Sequence, residues 1–524
     1  MYNADQLCLK GTRTDLLAEI HNWFSYQNAN HSRIFWLSGL AGKGKSTIAA
    51  TVAHHYRERG CLGSCFIFKR TEDSRSRPHM VFTTIAYQLA HSLPAYGVRL
   101  CDILKREPAV GHEPVANQFI KLLKEPLRDS ISATETPILI VMDAIDECDM
   151  TQDNLLSILL AGIIHLPTSI RFFITSRPER NLSAAFNAAG TIVTHHHIQD
   201  GNSESADHDI GLFLEARFLE IQQEYPDQLD EEWCCGCPLK KNWPCCAKQR
   251  MIEMSGGLFI WAATAIRFLR NRSIRDPSFQ LDRLLANSLD DKADFVELDN
   301  LYKQVLDTAY DSLAPGHPLE RFRHVLGAIT LLKEPLSLSA LGLFLEQSPG
   351  SLKSILRDLG AVIDLPTAHS EVPQVIHPSF IDFATSARCS DERVRVEPRL
   401  LHTHFALRCL SRMHQCLKRD ICGIGDSTKE NDEIADLDDR VKRCIPEDVQ
   451  YACRFWVEHI TDGLDAEEAD EELYARVDGF LSECFLYWLE VLSLVGQMNS
   501  VFTSLDALDK WTRVSCLHIA FISN

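Results

Sequence analysis

The stretch that most constrains this chain is GLAGKGKS, residues 39–46, set between the apolar run IFWLS and a segment of helical period, KSTIAATVAHHYRE. Strand, glycine-rich turn and helix in that order make a grip for a phosphate. Gly39, Gly42 and Gly44 let the backbone wrap an anion, and amides at the helix start point at it. Lys45 adds a point charge, and the Ser46 hydroxyl, with Thr47 beside it, suits Mg²⁺. Lys43, an extra cation inside the loop, reads as solvated rather than on phosphate. A match of this kind arises by chance in on the order of one in a hundred chains of this length, and the flanking strand and helix lower that further.

Two later strand ends supply what such a grip needs. ILIVMDAIDE is a buried strand ending in Asp143, with Asp146 and Glu147 just beyond it. Carboxylates there can hold Mg²⁺ through water and polarise an attacking water. Alone, such acids read as a solvated loop; beside a phosphate loop the balance turns. RFFITSRPER then puts Thr175, Ser176 and Arg177 at the next strand end, where a guanidinium can contact a γ-phosphate and report its loss.

The apolar runs RIFWLSG, SCFIFK, PILIVMD, RFFITS and TIVTHHHI alternate with helical segments over the first two hundred or so residues. That pattern predicts an α/β domain, a parallel sheet covered by helices. Past Gly201 strand signals nearly vanish and amphipathic helices take over. RHVLGAITLLKEPLSLSALGLFL, SLKSILRDLGAVIDL and VPQVIHPSFIDFAT give a helix, helix, short-strand order that suits a winged helix. Two acidic stretches, GDSTKENDEIADLDD and DAEEADEELYARV, interrupt a last helical region.

At about 150 residues per domain, 524 residues should hold three to four domains. The formal charge of −19 opposes a phosphate backbone as main partner. The first thirty residues lack a signal peptide's basic start and apolar run, and no run reaches the ~18 apolar residues of a membrane span. The cytoplasm is the expected setting, with the 18 cysteines mostly reduced.

At these motifs the chain resembles the NACHT-domain NTPases of the STAND class, in particular the fungal type found in cytosolic signalling and incompatibility proteins. CLKGTRTDLLAEIHNW, IFWLSGLAGKGKSTIAATVA, ILIVMDAIDE, FFITSRPE, GGLFIWAATA, LDNLYKQVL, IHPSFIDF, YACRFWVEHI and FLYWLEVLSLV look like family blocks in family order. The resemblance implies an α/β P-loop NTPase with a five-stranded ASCE-type sheet (31–200) after a helical lead-in (1–30). A helical lid (201–300), a winged helix (301–392) and a C-terminal helical domain (393–524) then follow. Such proteins are switches, closed around ADP and opened by ATP, and self-association or protein partners are implied for the open state. Carried over by residue, Lys45 grips phosphate, Ser46 and Asp143 serve Mg²⁺, Asp146 and Glu147 are the hydrolytic acids, and Arg177 is the sensor. GGLFIWA resembles the lid motif near the nucleotide, with Phe259 where relatives often have proline, which argues against a direct adenine contact. IHPSF resembles the motif whose histidine touches ADP in the closed state, making His377 a candidate, although Pro378 replaces the usual acid. The chain starts almost at the family's GTR block and contains no WD dipeptide, so the usual effector and sensor repeats are expected to be missing. It reads as a truncated paralogue or a partial gene model.

WCCGCPLKKNWPCC gathers Cys234, Cys235, Cys237, Cys245 and Cys246, but without two clean C-x₂-C knuckles reduced thiols are expected rather than zinc. His195, His196 and His197 fall on a strand, where successive side chains face opposite ways, so they cannot all meet one metal. The leading function is a slow Mg²⁺-dependent ATP/ADP switch reset by hydrolysis. A nucleotide-bound scaffold that does not hydrolyse is the alternative, and a small-molecule kinase fits poorly, since the mostly helical remainder offers no evident acceptor site.

Overall fold

A computed structural model describes residues 7–25, 32–70, 72–130, 137–148, 155–199, 204–226, 247–271, 274–286, 296–311, 319–366, 368–425, 429–463 and 471–522. They form two compact units, one of Met1–Arg270 with Asp276–Leu301, the other of Asn271–Arg275 with Tyr302–Asn524.

The first unit is built on five parallel strands: β1 (Ile34–Ser38), β2 (Leu62–Ile67), β3 (Ile138–Asp143), β4 (Ile170–Ser176) and β5 (Val193–His197). They lie in the order β2-β3-β4-β1-β5. The central strands β1, β3 and β4 are buried along their whole length, as expected of a parallel sheet covered on both faces. Their side chains sort by the two-residue period. Ile34, Trp36, Ile140, Met142, Phe172 and Ile174 enter one core, and Phe35, Leu37, Leu139, Val141 and Phe173 the other. Each fully buried side chain of this size contributes about 1.5–3 kcal/mol.

The second core is closed by the helix Lys45–Glu58, whose Ile48, Ala49, Val52 and Ala53 pack on the sheet. Asp143 continues the register of Leu139 and Val141, and Thr175 that of Phe173. Both therefore emerge at strand ends on the face this helix covers. The sheet order places β4 between β1 and β3, so Thr175 stands between the phosphate loop and Asp143; Leu37 pairs with Thr175 and Met142 with Ile174.

Beyond the sheet, the unit adds the helices Glu204–Glu224, Ala247–Ser255, Phe259–Leu269 and Pro277–Ala286. Among the described residues the second unit is mostly helical, with one short antiparallel pair, β6 (Ile363–Asp364) and β7 (Gln374–Val375). There the helices Pro398–Cys416 and Glu447–Asp462 bury Cys409, Met413, Phe455 and Trp456. Among the described residues no helix is long and apolar enough to cross a membrane.

Candidate functional site

β1 ends at Ser38, and the chain turns through Gly42 (φ 81°) and Gly44 (φ 86°) before the helix begins at Lys45. Both glycines occupy the left-handed region that side chains rarely adopt. A Cβ on Gly44 would meet nothing within 4 Å, so the cradle at the helix start is open. The Lys45 Nζ donates to the Gly39 and Leu40 carbonyls at 2.7 and 2.9 Å, folding back over the loop's own backbone. Burial lowers its pKa to about 8, against the pull of Asp146 and Asp143.

Opposite stands Asp143, only 2% exposed. Burial raises its pKa, and hydrogen bonds from Thr175 and Ser46 oppose the rise. Thr175 Oγ1 donates to Asp143 Oδ1 at 2.5 Å and accepts the Ala144 N–H at 2.9 Å. Ala144 has φ 60°, a strained turn for a residue with a Cβ, and the Thr175 hydroxyl holds it there. One hydroxyl thus fixes the carboxylate and the turn that delivers the next two acids.

Those acids diverge. Asp146 takes the Arg177 amide at 3.0 Å and the Arg177 Nε at 3.4 Å, so the guanidinium is docked on a carboxylate. Glu147 accepts the Arg70 amide at 3.1 Å, and burial lifts its pKa to about 7. A carboxyl poised near neutrality at a strand end is what a general base requires. Ser46 and Asp143, an exposed hydroxyl bonded to a buried carboxylate, are hard oxygen donors of the kind Mg²⁺ takes. Thr47 follows on the same helix turn, half-buried.

Lys43 departs from the sequence expectation of a solvated side chain. It is 1% exposed, and its Nζ donates to the Gly257 carbonyl at 3.2 Å. A buried ammonium needs such a partner, and the segment that supplies it follows 214 residues later. His377 lies in the second unit, where it caps the helix Pro378–Ala384: Nδ1 accepts the Ser379 N–H at 3.2 Å and lies 2.7 Å from Ser379 Oγ. His195 and His197 share one face of β5, both within 2.8 Å of Ser38 Oγ, while His196 pairs with Glu19 at 2.8 Å. Cys234, Cys235, Cys237, Cys245 and Cys246 lie outside the described residues.

Sequence reasoning missed Arg13. Its Nη2 donates to the Lys43 carbonyl at 2.9 Å, its amide to Asp209 at 3.1 Å, and its guanidinium lies 5.0 Å over the Phe259 ring. The GTR block marks the position in the sequence by its glycine alone; the positive φ of Gly11 and Arg13 is seen only in the structure.

Residues 11–177, about a third of the chain, match the family model described as Nephrocystin 3, N-terminal. This is the α/β fold of a P-loop NTPase. No curated protein matches the chain. Among solved structures, Cdc6p from Pyrobaculum aerophilum is 13% identical over 72% of this chain and 94% of its own, with a TM-score of 0.31. ORC1 from Aeropyrum pernix, solved in complex with DNA, is 13% identical over 72% and 92%, TM-score 0.33. RuvB from Thermotoga maritima is 10% identical over 70% and 90%, TM-score 0.26. Likeness at that level carries no argument about what this chain binds or does.

Proposed function

We propose that this chain is a nucleotide-dependent switch of the STAND type, with a NACHT-like domain that binds ATP and ADP with Mg²⁺ and hydrolyses ATP slowly. The observation that carries the reading is the convergence of the Gly39–Ser46 loop with Asp143 and Glu147 at one end of the sheet. Lys45 holds phosphate charge, and leaves its own loop carbonyls to do so. Mg²⁺, held by Ser46 and Asp143, supplies neutralisation of phosphate oxygens when bound. Glu147 takes a proton from the attacking water, and Arg177, released from Asp146, answers to the γ-phosphate. The Arg70 amide, which donates to Glu147 and opposes the rise of its pKa on burial, ties up one carboxylate oxygen and so favours slow turnover, as a switch requires.

The remaining assignments rest on the resemblance alone: lid, winged-helix and helical domains after the core, self-association in the open state, a cytoplasmic setting, and His377 as the residue of the second unit that answers to ADP. The test is mass spectrometry of nucleotide carried by purified wild type and Lys45→Ala. Bound ADP or ATP in wild type and none in the variant is expected, because the phosphate loses its main point charge. Equal retention by both sinks the assignment. Nucleotide held without any turnover favours instead a non-hydrolysing scaffold.

A further inference from the structure

We propose that Lys43 is a positioning residue, a buried latch that fastens the apex of the phosphate loop to the segment Gly256–Ile260 and thereby holds the loop ready for phosphate. The consequence for nucleotide rests on the function proposed above; the latch itself does not.

Three contacts carry the inference, all from two successive loop residues. The Lys43 Nζ donates to the Gly257 carbonyl at 3.2 Å, and the Ile260 amide donates to the Gly42 carbonyl at 3.1 Å. The Lys43 carbonyl accepts Arg13 at 2.9 Å, and Arg13 is in turn held by Asp209. Packing agrees: a Cβ on Gly42 would lie 2.2 Å from Ile260 Cγ2, so the Ile260 side chain packs directly on the loop's backbone. Asp207 adds charge. Burial raises its carboxyl and Lys43 opposes the rise, and its Oδ1 is buried without a hydrogen-bond partner among the described residues.

A loop with glycines at 39, 42 and 44 has high backbone freedom, and its amides must converge before they can bind an anion. Solvation of Lys43 would remove the side-chain tie at the apex and leave the two main-chain ones, Ile260 to Gly42 and Arg13 to Lys43, to hold it alone. A buried ammonium is costly unless partnered, so its placement against a carbonyl and beside a carboxylate fixes one geometry. Lys45, two residues on, points into the loop and acts on phosphate directly. Lys43 points away from it and acts only through the backbone. Its loss should therefore loosen nucleotide binding and leave the chemical step alone.

Lys43→Met keeps length and apolar packing and removes the donor; Lys43→Arg restores a cation. Hydrogen exchange of the peptide spanning residues 256–262 is measured on nucleotide-free full-length protein. Dissociation of a fluorescent ADP and steady-state kinetics are measured in Mg²⁺. Lys43→Met should raise exchange at 256–262, speed ADP release about tenfold or more, and raise KM, the loss expected for one charge-assisted hydrogen bond. Its kcat should stay within about twofold, and Lys43→Arg should recover most of each effect. Unchanged exchange in Lys43→Met overturns the latch, and so does a fall in kcat at constant KM. If the wild type binds no nucleotide, the proposed function fails while the exchange comparison still decides the latch. Should Lys43→Met not fold, Asp207→Asn leaves the loop sequence intact and is read by the same exchange measurement, with faster exchange expected and unchanged exchange overturning the idea.

Discussion

Replacing Thr175 with valine tests how the site is built, because it deletes one hydroxyl and almost no volume. Thr175 is fully buried, and its Oγ1 serves two groups: the buried Asp143 Oδ1 at 2.5 Å and the amide of half-buried Ala144 at 2.9 Å. Each buried group left without a partner costs about 1–3 kcal/mol. Asp143 keeps the hydrogen bond from Ser46 and can take up a proton, which limits its share. The half-buried Ala144 amide can turn to water, so the loss worked from the structure is about 1–3 kcal/mol, with strain at Ala144 no longer restrained. Thr175→Ser keeps the hydroxyl and should lose little. Urea unfolding of the two variants and wild type gives the stability. A titration of Mg²⁺ in the presence of ADP gives the second readout, since a more readily protonated Asp143 holds a divalent cation less well. A valine variant within about 0.5 kcal/mol of wild type, with an unshifted Mg²⁺ midpoint, would refute the claim that this hydroxyl organises the strand end.

Two further outcomes follow from titration. Glu147 works as a base only when ionised, and burial holds it at about 7, so turnover should climb through pH 7 and level off above it; Glu147→Gln should abolish that limb, and a profile flat from pH 6 to 8 in wild type would remove Glu147 from the role. In the second unit His402 and His459 face each other across 2.8 Å, with His459 also 2.6 Å from the Tyr451 hydroxyl. Burial lowers His402 to about 4 and holds His459 well below the usual histidine range, so both are neutral when folded near neutral pH. The unfolded chain binds more protons between about 4 and 6.5, so this contribution is complete above about pH 6.5 and is lost as pH falls toward 4, with His402 alone accounting for up to about 3 kcal/mol. Urea midpoints at pH 7.5 and 5 should differ less in His402→Gln than in wild type; equal differences would exclude the pair as the cause.

The sheet was legible because its central strands are buried on both faces and therefore read as continuous apolar runs, IFWLS, ILIVMD and IRFFITS. The phosphate loop was legible because its chemistry is local: the residues that wrap an anion are neighbours in sequence. Asp143 was legible as a strand end, but its dependence on Thr175 was not, since that bond crosses to β4, 32 residues further on. Arg13 is a stronger case. Its amide meets Asp209, 196 residues later, and nothing in the composition of either segment marks the pair.

Lys43 and Lys45 show where such reading stops. They are the same residue type, two positions apart, each flanked by glycine on its N-terminal side. Pattern alone separates Lys45, because its place before Ser46 at the helix start aims its ammonium into the loop. For Lys43 a solvated face is the expected state of a lysine in a glycine-rich turn, since desolvating an ammonium is costly. The structure overrides that expectation by bringing the Gly257 carbonyl to the loop apex and Asp207 close enough to oppose the burial of charge. The decision lies with a segment more than two hundred residues away, and so the loop's own sequence cannot contain it. A lysine at this position is a phosphate-loop residue by sequence and a fastening by fold. Substitutions there should be judged by what they do to the Gly256–Ile260 contact before any role on phosphate is assigned.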